Sequence, residues 1–276
     1  MIRFGPSGHC TIETPKYLSD IGLNAVEINF GRGVRLSNTN ALSIGEQARK
    51  YNISISAHAP YYINLCSGDK ENIKKSYGYI KQSLDALQKI NSSDGKLRLV
   101  MHVGFQCKLT REQAIANAKK NLIDVIKRLS NDGLDNFLLC IETMGRYKAI
   151  GNVEEICDIC SIADCIVPAI DFGHINAWEQ GMLHNSPEKI REIIEYCCDK
   201  LGDKMKRPHI HFSSVIYTKA GEHAHTTLDD EKWSFSFKPL ANIIREKKLE
   251  PIIICESKQQ TTADALVLKN QYLKTV

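Results

Sequence analysis

Six of the nine histidines in this 276-residue chain lie at the end of a short apolar run or in the segment that follows one. His58 closes such a run in Ser56-Ala57-His58-Ala59-Pro60, His102 in Val100-Met101-His102-Val103-Gly104, and His211 in His209-Ile210-His211-Phe212. Carboxylates take the same position: Glu142 in Cys140-Ile141-Glu142-Thr143, Asp171 in Ile170-Asp171-Phe172-Gly173-His174, and Glu256 in Ile254-Cys255-Glu256-Ser257. His174 lies three residues after Asp171, and His223 and His225 lie in the loop after His211. Any one of these alone reads as packing. Together they are six imidazoles and three carboxylates with no Lys or Arg among them. Such groups beside apolar strands cost several kcal/mol each unless they are paired. Metal ions supply the missing positive charge. Imidazole plus carboxylate without thiolate suits Zn²⁺, with Mn²⁺ or Fe²⁺ next. Nine ligands exceed one ion and, with one bridging carboxylate, suit two or three. The chemistry such a cluster serves is phosphoester hydrolysis.

The elements that must bring these residues together repeat eight times. A short apolar, β-branched run is followed by a polar loop and a helical pattern. The strand-like runs are Ile2–Phe4, Ala25–Phe30, Ser54–Ala57, Leu97–Met101, Leu138–Ile141, Val167–Ile170, His209–Phe212 and Ile252–Cys255. They are apolar with little alternation, as parallel strands buried on both faces are. Thr14-Pro15 and Ser186-Pro187-Glu188 read as helix starts, and Thr110-Arg111-Glu112-Gln113 fits a capping box. Asp94-Gly95 and Asp132-Gly133 mark turns back into strands. With no linker-like stretch, residues 1–276 read as one domain. Eight such units predict an α/β fold of the (β/α)8 TIM-barrel type, with an open eight-stranded sheet as the alternative. In a parallel barrel all strand carboxyl ends meet at one mouth. Residues spread from 58 to 256 then share one cup, and six strands contribute to it.

Composition sets the bounds. The chain is 25% charged and 43% hydrophobic, which excludes disordered and fibrous classes. A net charge of +4 permits a polyanionic partner without demanding one. No run of about 18 apolar residues exists to span a membrane. Met1-Ile2-Arg3-Phe4-Gly5 carries no apolar signal region, so a reducing, cytoplasmic setting is expected. The ten cysteines include Cys157-Asp158-Ile159-Cys160 and the adjacent Cys197-Cys198. Both pairs read as small apolar residues in helices.

At the cup residues the sequence resembles the endonuclease IV family, metal-dependent apurinic/apyrimidinic endonucleases (AP endonuclease family 2) on a xylose isomerase-like TIM barrel. The look is closer to its archaeal-like branch than to the typical bacterial enzyme. The likeness rests on His58-Ala59-Pro60-Tyr61-Tyr62-Ile63-Asn64-Leu65, Glu142-Thr143-Met144, Asp171-Phe172-Gly173-His174 and His211-Phe212-Ser213. Asn29-Phe30-Gly31-Arg32-Gly33-Val34-Arg35 and His225-Thr226-Thr227-Leu228 fit more loosely. The resemblance implies a first zinc held by His58, His102 and Glu142. Glu142 would bridge to a second completed by Asp171, His211 and Glu256. His174 and His225 would hold a third, with His223 where the family has an aspartate; if His223 points away, Glu222 or water serves instead. His209, two residues before His211, reads as packing or as support for a ligand.

The resemblance further implies a monomer acting on double-stranded DNA that carries an abasic site. The abasic nucleotide would be flipped into the cup and the phosphodiester on its 5′ side hydrolysed. The products would be a 3′-hydroxyl and a 5′-deoxyribose phosphate, with Glu142 as the catalytic residue. Tyr61 and Tyr62 fall where the family places wedge residues. Arg32, Arg35, Arg146, Lys148 and Lys219 are candidate phosphate contacts. Two rivals stand beside this reading. A sugar isomerase or epimerase would need only Glu142, Asp171, His211 and Glu256 around one ion. A non-catalytic binder of damaged DNA would keep the cup without turnover.

Overall fold

The computed structural model describes residues 1–275. All eight strand runs form one closed parallel barrel. Its strands are β1 (Arg3–Gly8), β2 (Ala25–Asn29), β3 (Ser54–His58), β4 (Leu97–Met101), β5 (Phe137–Glu142), β6 (Ile166–Asp171) and β7 (His209–His211), closed by β10 (Ile252–Cys255). They pair in chain order around the ring, and β10 closes it against β1 with Phe4 beside Ile253. The fold is therefore a (β/α)8 TIM barrel. The boundaries move by a residue or two from the sequence reading: His58, Glu142 and Asp171 are the last residues of their strands.

Helices wrap the barrel and bury their apolar stripes on it. The longest are α3 (Lys70–Ile90) and α4 (Arg111–Asn131), with Ile80, Leu84, Leu122 and Val125 fully buried. Thr110 and Gln113 form the capping box read from the sequence. Two helix starts differ from expectation. Thr14 is the first residue of α1 (Thr14–Asp20) and not its cap; its hydroxyl accepts from Thr11 N–H instead. Ser186 does not cap α8 (Lys189–Leu201), which starts after Glu188 without a side-chain cap, because Ser186 and Pro187 belong to a preceding turn. All ten cysteines are free thiols. No helix among the described residues is long and apolar enough to cross a membrane.

One element was not anticipated. After β7 the chain forms a hairpin, β8 (Ser214–Thr218) and β9 (Gly221–Thr226), standing over the carboxyl-end mouth. Gly221, the first residue of the returning strand, has φ +92°, and a Cβ there would lie 2.1 Å from the Gly145 carbonyl oxygen. Glycine thus lets the hairpin dock on the loop after β5, where Glu222 N–H donates to Gly145 O at 2.8 Å.

The other end of the barrel is closed by charge. Asp94, its side chain fully buried, accepts from Arg98 Nε at 2.8 Å and from Arg207 at 2.7 Å. Removing it leaves the Arg98 guanidinium, 3% exposed, uncompensated. Asp94→Ala is expected to destabilise the fold by about 3–5 kcal/mol, measured as a lower midpoint in urea; an unchanged midpoint would show the pair to be dispensable.

Candidate metal centre

The strand carboxyl ends open into a cup of about 450 Å³ whose wall includes His58, His102, Glu142, His174, His225 and Glu256. Three groups of ligand atoms lie within it, each group within 4.8 Å of itself: His58, His102 and Glu142; Glu142, Asp171, His211 and Glu256; and His174, Glu222 and His225. Glu142 is shared. Its Oε2 sits 3.1 Å from His58 Nε2 and 3.0 Å from His102 Nε2, and its Oε1 is 2.9 Å from His211 Nδ1. His211 Nδ1 also lies 3.3 Å from Glu256 and 3.7 Å from Asp171.

Backbone acceptors fix two of the imidazoles. His58 Nδ1 is 2.8 Å from Ala59 O, and His174 Nδ1 is 2.9 Å from Thr143 O. A carbonyl oxygen only accepts, so each Nδ1 donates and each Nε2 is turned to the cup. His225 Nδ1 meets Ser213 Oγ at 2.9 Å. Asp171 Oδ1 caps the first turn of α6 (Phe172–Trp178) by accepting from His174 N–H, while Asp171 Oδ2 is buried without a hydrogen-bond partner. A buried carboxylate oxygen left so is costly unless a cation completes it. No Lys or Arg makes an ion pair with Glu142, Asp171 or Glu256 among the described residues. The donor set is oxygen and imidazole nitrogen throughout, which fits divalent ions of the zinc and manganese kind.

Electrostatics agree with a proton-for-ion exchange. Burial pulls His58 down, but Glu142, Glu256 and Glu27 outweigh it and raise its pKa to about 9. Burial likewise opposes His174, which Asp171, Glu222 and Glu142 carry up to about 10. Burial pushes Glu142 up, yet His211, His102 and His58 hold it well below the usual carboxylate range. Glu256 is held at about 2, the His211 charge overcoming burial. Asp171 rises, because burial is joined by its carboxylate neighbours. A divalent ion must displace the imidazole protons, so binding is expected to release protons at pH 7 and to tighten as pH rises toward 9–10. Calorimetry in two buffers of different ionisation heat checks this. In chelated protein the raised histidines contribute stability that is complete below pH 6.5 and is lost through about 9 and about 10. The gap in Tm between loaded and chelated protein should therefore widen between pH 7 and 9.5; a constant gap would contradict the exchange.

His223 does not join the cup. It is exposed, and the third group contains Glu222 in its place, with Glu222 Oε2 3.5 Å from His174 Nε2. The cause is a bulge. Ala224 pairs with Ile216 and Glu222 pairs with Tyr217, so His223 is the extra residue with no partner. Without the bulge, residues 222 and 225 would face opposite sides. Tyr61 lies in the wall, its ring 5.0 Å from His58 and 5.5 Å from His102, its hydroxyl accepting from Asn29 at 3.1 Å. A Cβ at residue 31 would meet that ring at 2.3 Å, so Gly31 makes room for it. Tyr62, 61% exposed, packs outside the cup on Tyr79. Arg32, Arg35, Lys148 and Lys219 are exposed and outside the cup wall; Arg146 alone of the basic candidates lines it. Glu27 was missed altogether. It lies fully buried inside the barrel against His209 and His211, and its signal was a carboxylate within the apolar run of β2.

The chain belongs to the xylose isomerase-like TIM barrel family, whose sequence model matches residues 15–272. It is 31% identical to an uncharacterised protein of Methanocaldococcus jannaschii, over 92% of this chain and 89% of that one. It is 25% identical to a protein of Acanthamoeba polyphaga mimivirus named "Putative endonuclease 4", over 88% of this chain and 80% of that one. Among solved structures it is similar to a D-tagatose 3-epimerase-like protein, with TM-score 0.73 and 18% identity over 99% and 97% of the two chains. It is also similar to an AP endonuclease of family 2 from Brucella melitensis, with TM-score 0.65 and 12% identity over 98% and 99%. At such identities the two structures share the fold, and their names fall on both sides of the choice between nuclease and epimerase.

Proposed function

We propose that the protein is a divalent-metal-dependent nuclease that incises duplex DNA 5′ to an abasic site, leaving a 3′-hydroxyl and a 5′-deoxyribose phosphate. One observation carries the reading. The cup holds two further ligand groups, His58–His102 with Glu142 and His174–Glu222–His225, beyond the four residues a one-ion sugar enzyme would use. Zn²⁺ is the ion the donors suit best, two or three per chain. When bound, the ions would activate water near neutral pH and neutralise charge on the phosphate oxygens.

The chain's own residues do the rest. Glu142 presents one oxygen to each of two ligand groups, so it fixes their spacing. A cup of about 450 Å³ takes one extruded sugar phosphate and not a stacked duplex. Tyr61 walls the His58–His102 side. Arg146, half exposed at the mouth and 3.7 Å from Glu222, would turn to a phosphate once an ion takes Glu222, and Tyr62 and Arg32 and Arg35 would meet the duplex outside the cup.

The epimerase reading keeps one specific support, the complete four-residue group of Glu142, Asp171, His211 and Glu256. A single preparation given both substrates separates the two. Incision of a duplex bearing a stable abasic-site analogue, with ketohexose left unchanged, is expected. Epimerised sugar with intact DNA would overturn the proposal, and tight duplex binding without incision would make the protein a binder.

A further inference from the structure

Among the described residues, Glu27 is the one carboxylate of the barrel interior that neither the cup nor the charged floor uses. It is fully buried, as are His209 and His211. Glu27 Oε2 accepts from Ser56 Oγ at 2.9 Å and lies 2.9 Å from His209 Nε2, while Oε1 lies 3.0 Å from His211 Nε2. The His211 ring therefore stands between two sets of oxygens: Glu27 below at Nε2, and Glu142, Glu256 and Asp171 above at Nδ1. The two histidine contacts to Glu27 are close without hydrogen-bond alignment, while His211 Nδ1 and Glu142 Oε1 are aligned at 2.9 Å.

A neutral imidazole carries one proton, and its place decides whether His211 can be a ligand. A proton on Nδ1 would point into the cup and close that nitrogen to an ion. A proton on Nε2, taken by Glu27, leaves the Nδ1 lone pair facing the cup. The other oriented histidines lean on uncharged groups, Ala59 O, Thr143 O and Ser213 Oγ. Of these, His211 has the near carboxylate, Glu27 at 3.0 Å from the nitrogen turned from the cup, whereas His174 Nδ1 has Glu142 and Asp171 only at 3.6 Å; a carboxylate behind a ligating imidazole raises its strength as a donor.

We propose that Glu27, braced by Ser56 and His209, is a positioning residue that holds His211 with its Nδ1 lone pair in the cup, and so makes the Glu142–Asp171–His211–Glu256 group the one that binds its ion most tightly. The inference rests on the metal-binding reading of the cup. Chelated protein titrated with Co²⁺, followed by calorimetry and visible absorption, tests it. Glu27→Gln, which keeps size and removes charge, is expected to weaken the tightest ion about 10- to 100-fold and to leave the weaker ones in place. On a His211→Gln background, Glu27→Gln is expected to add nothing, whereas a merely structural role would still add its cost. Should Glu27→Gln not fold, histidine ¹⁵N resonances of the zinc-loaded native chain decide: the proton of His211 should sit on Nε2.

Unchanged affinity in Glu27→Gln, or a proton on Nδ1, overturns the proposal. So does the loss of one whole ion with the tightest constant intact, which would place an ion among Glu27, His209 and His211 themselves. A native chain that binds no divalent ion at all fails differently, because it removes the metal reading along with this one.

Discussion

Glu142→Gln is expected to lower incision by on the order of 10³-fold or more while the fold persists. The side chain reaches His58 and His102 with one oxygen and His211 with the other, and it is fully buried. Glutamine keeps the volume but offers one acceptor and one NH₂ group, so it cannot serve both ligand groups at once. Ion content should fall with activity, and far-UV circular dichroism should not change. Single-turnover incision beside metal analysis on the same sample makes the test. A near-normal rate with full ion content would mean that the shared carboxylate is not what joins the groups.

The second large effect separates neighbours. Glu222→Gln is expected to release one ion and to reduce incision about 10²-fold, as loss of one catalytic group does. His223→Ala is expected to leave both within about twofold, since an exposed substitution away from any partner usually costs little. The contrast follows from the bulge, which turns Glu222 toward His174 and His223 toward solvent. The opposite pattern, with His223→Ala the damaging change, would mean that β9 is registered differently when DNA or metal is bound.

That pair of residues also shows where sequence reasoning stops. The barrel was legible because eight apolar runs each sit ahead of a helix, and the strand-end rule then placed His58, His102, Glu142, Asp171, His211 and Glu256 at one mouth without any contact being known. The hairpin was not legible. Its strands, Ser214–Thr218 and Gly221–Thr226, are short, the second is polar throughout most of its length, and a histidine in place of a family aspartate points one residue too far. A bulge leaves no mark in composition: it appears only in the pairing of Ile216 with Ala224 and Tyr217 with Glu222. Glu27 was hidden for the opposite reason. It lies inside an apolar strand, and its partners His209 and His211 are more than 180 residues away, so only the closed barrel brings them across. Tyr61 and Tyr62, adjacent and alike in sequence, separate in the structure because Gly31 admits one ring to the cup wall and Tyr79 holds the other outside.

The most direct measurement is the number of divalent ions bound per chain at the point where incision returns, as Zn²⁺ is added back to chelated protein and ions are counted by native mass spectrometry. No incision of abasic duplex is expected in the chelated protein, and incision should return only when two or three ions are bound. Full activity with a single ion, or incision that survives chelation, would contradict the two- or three-ion reading.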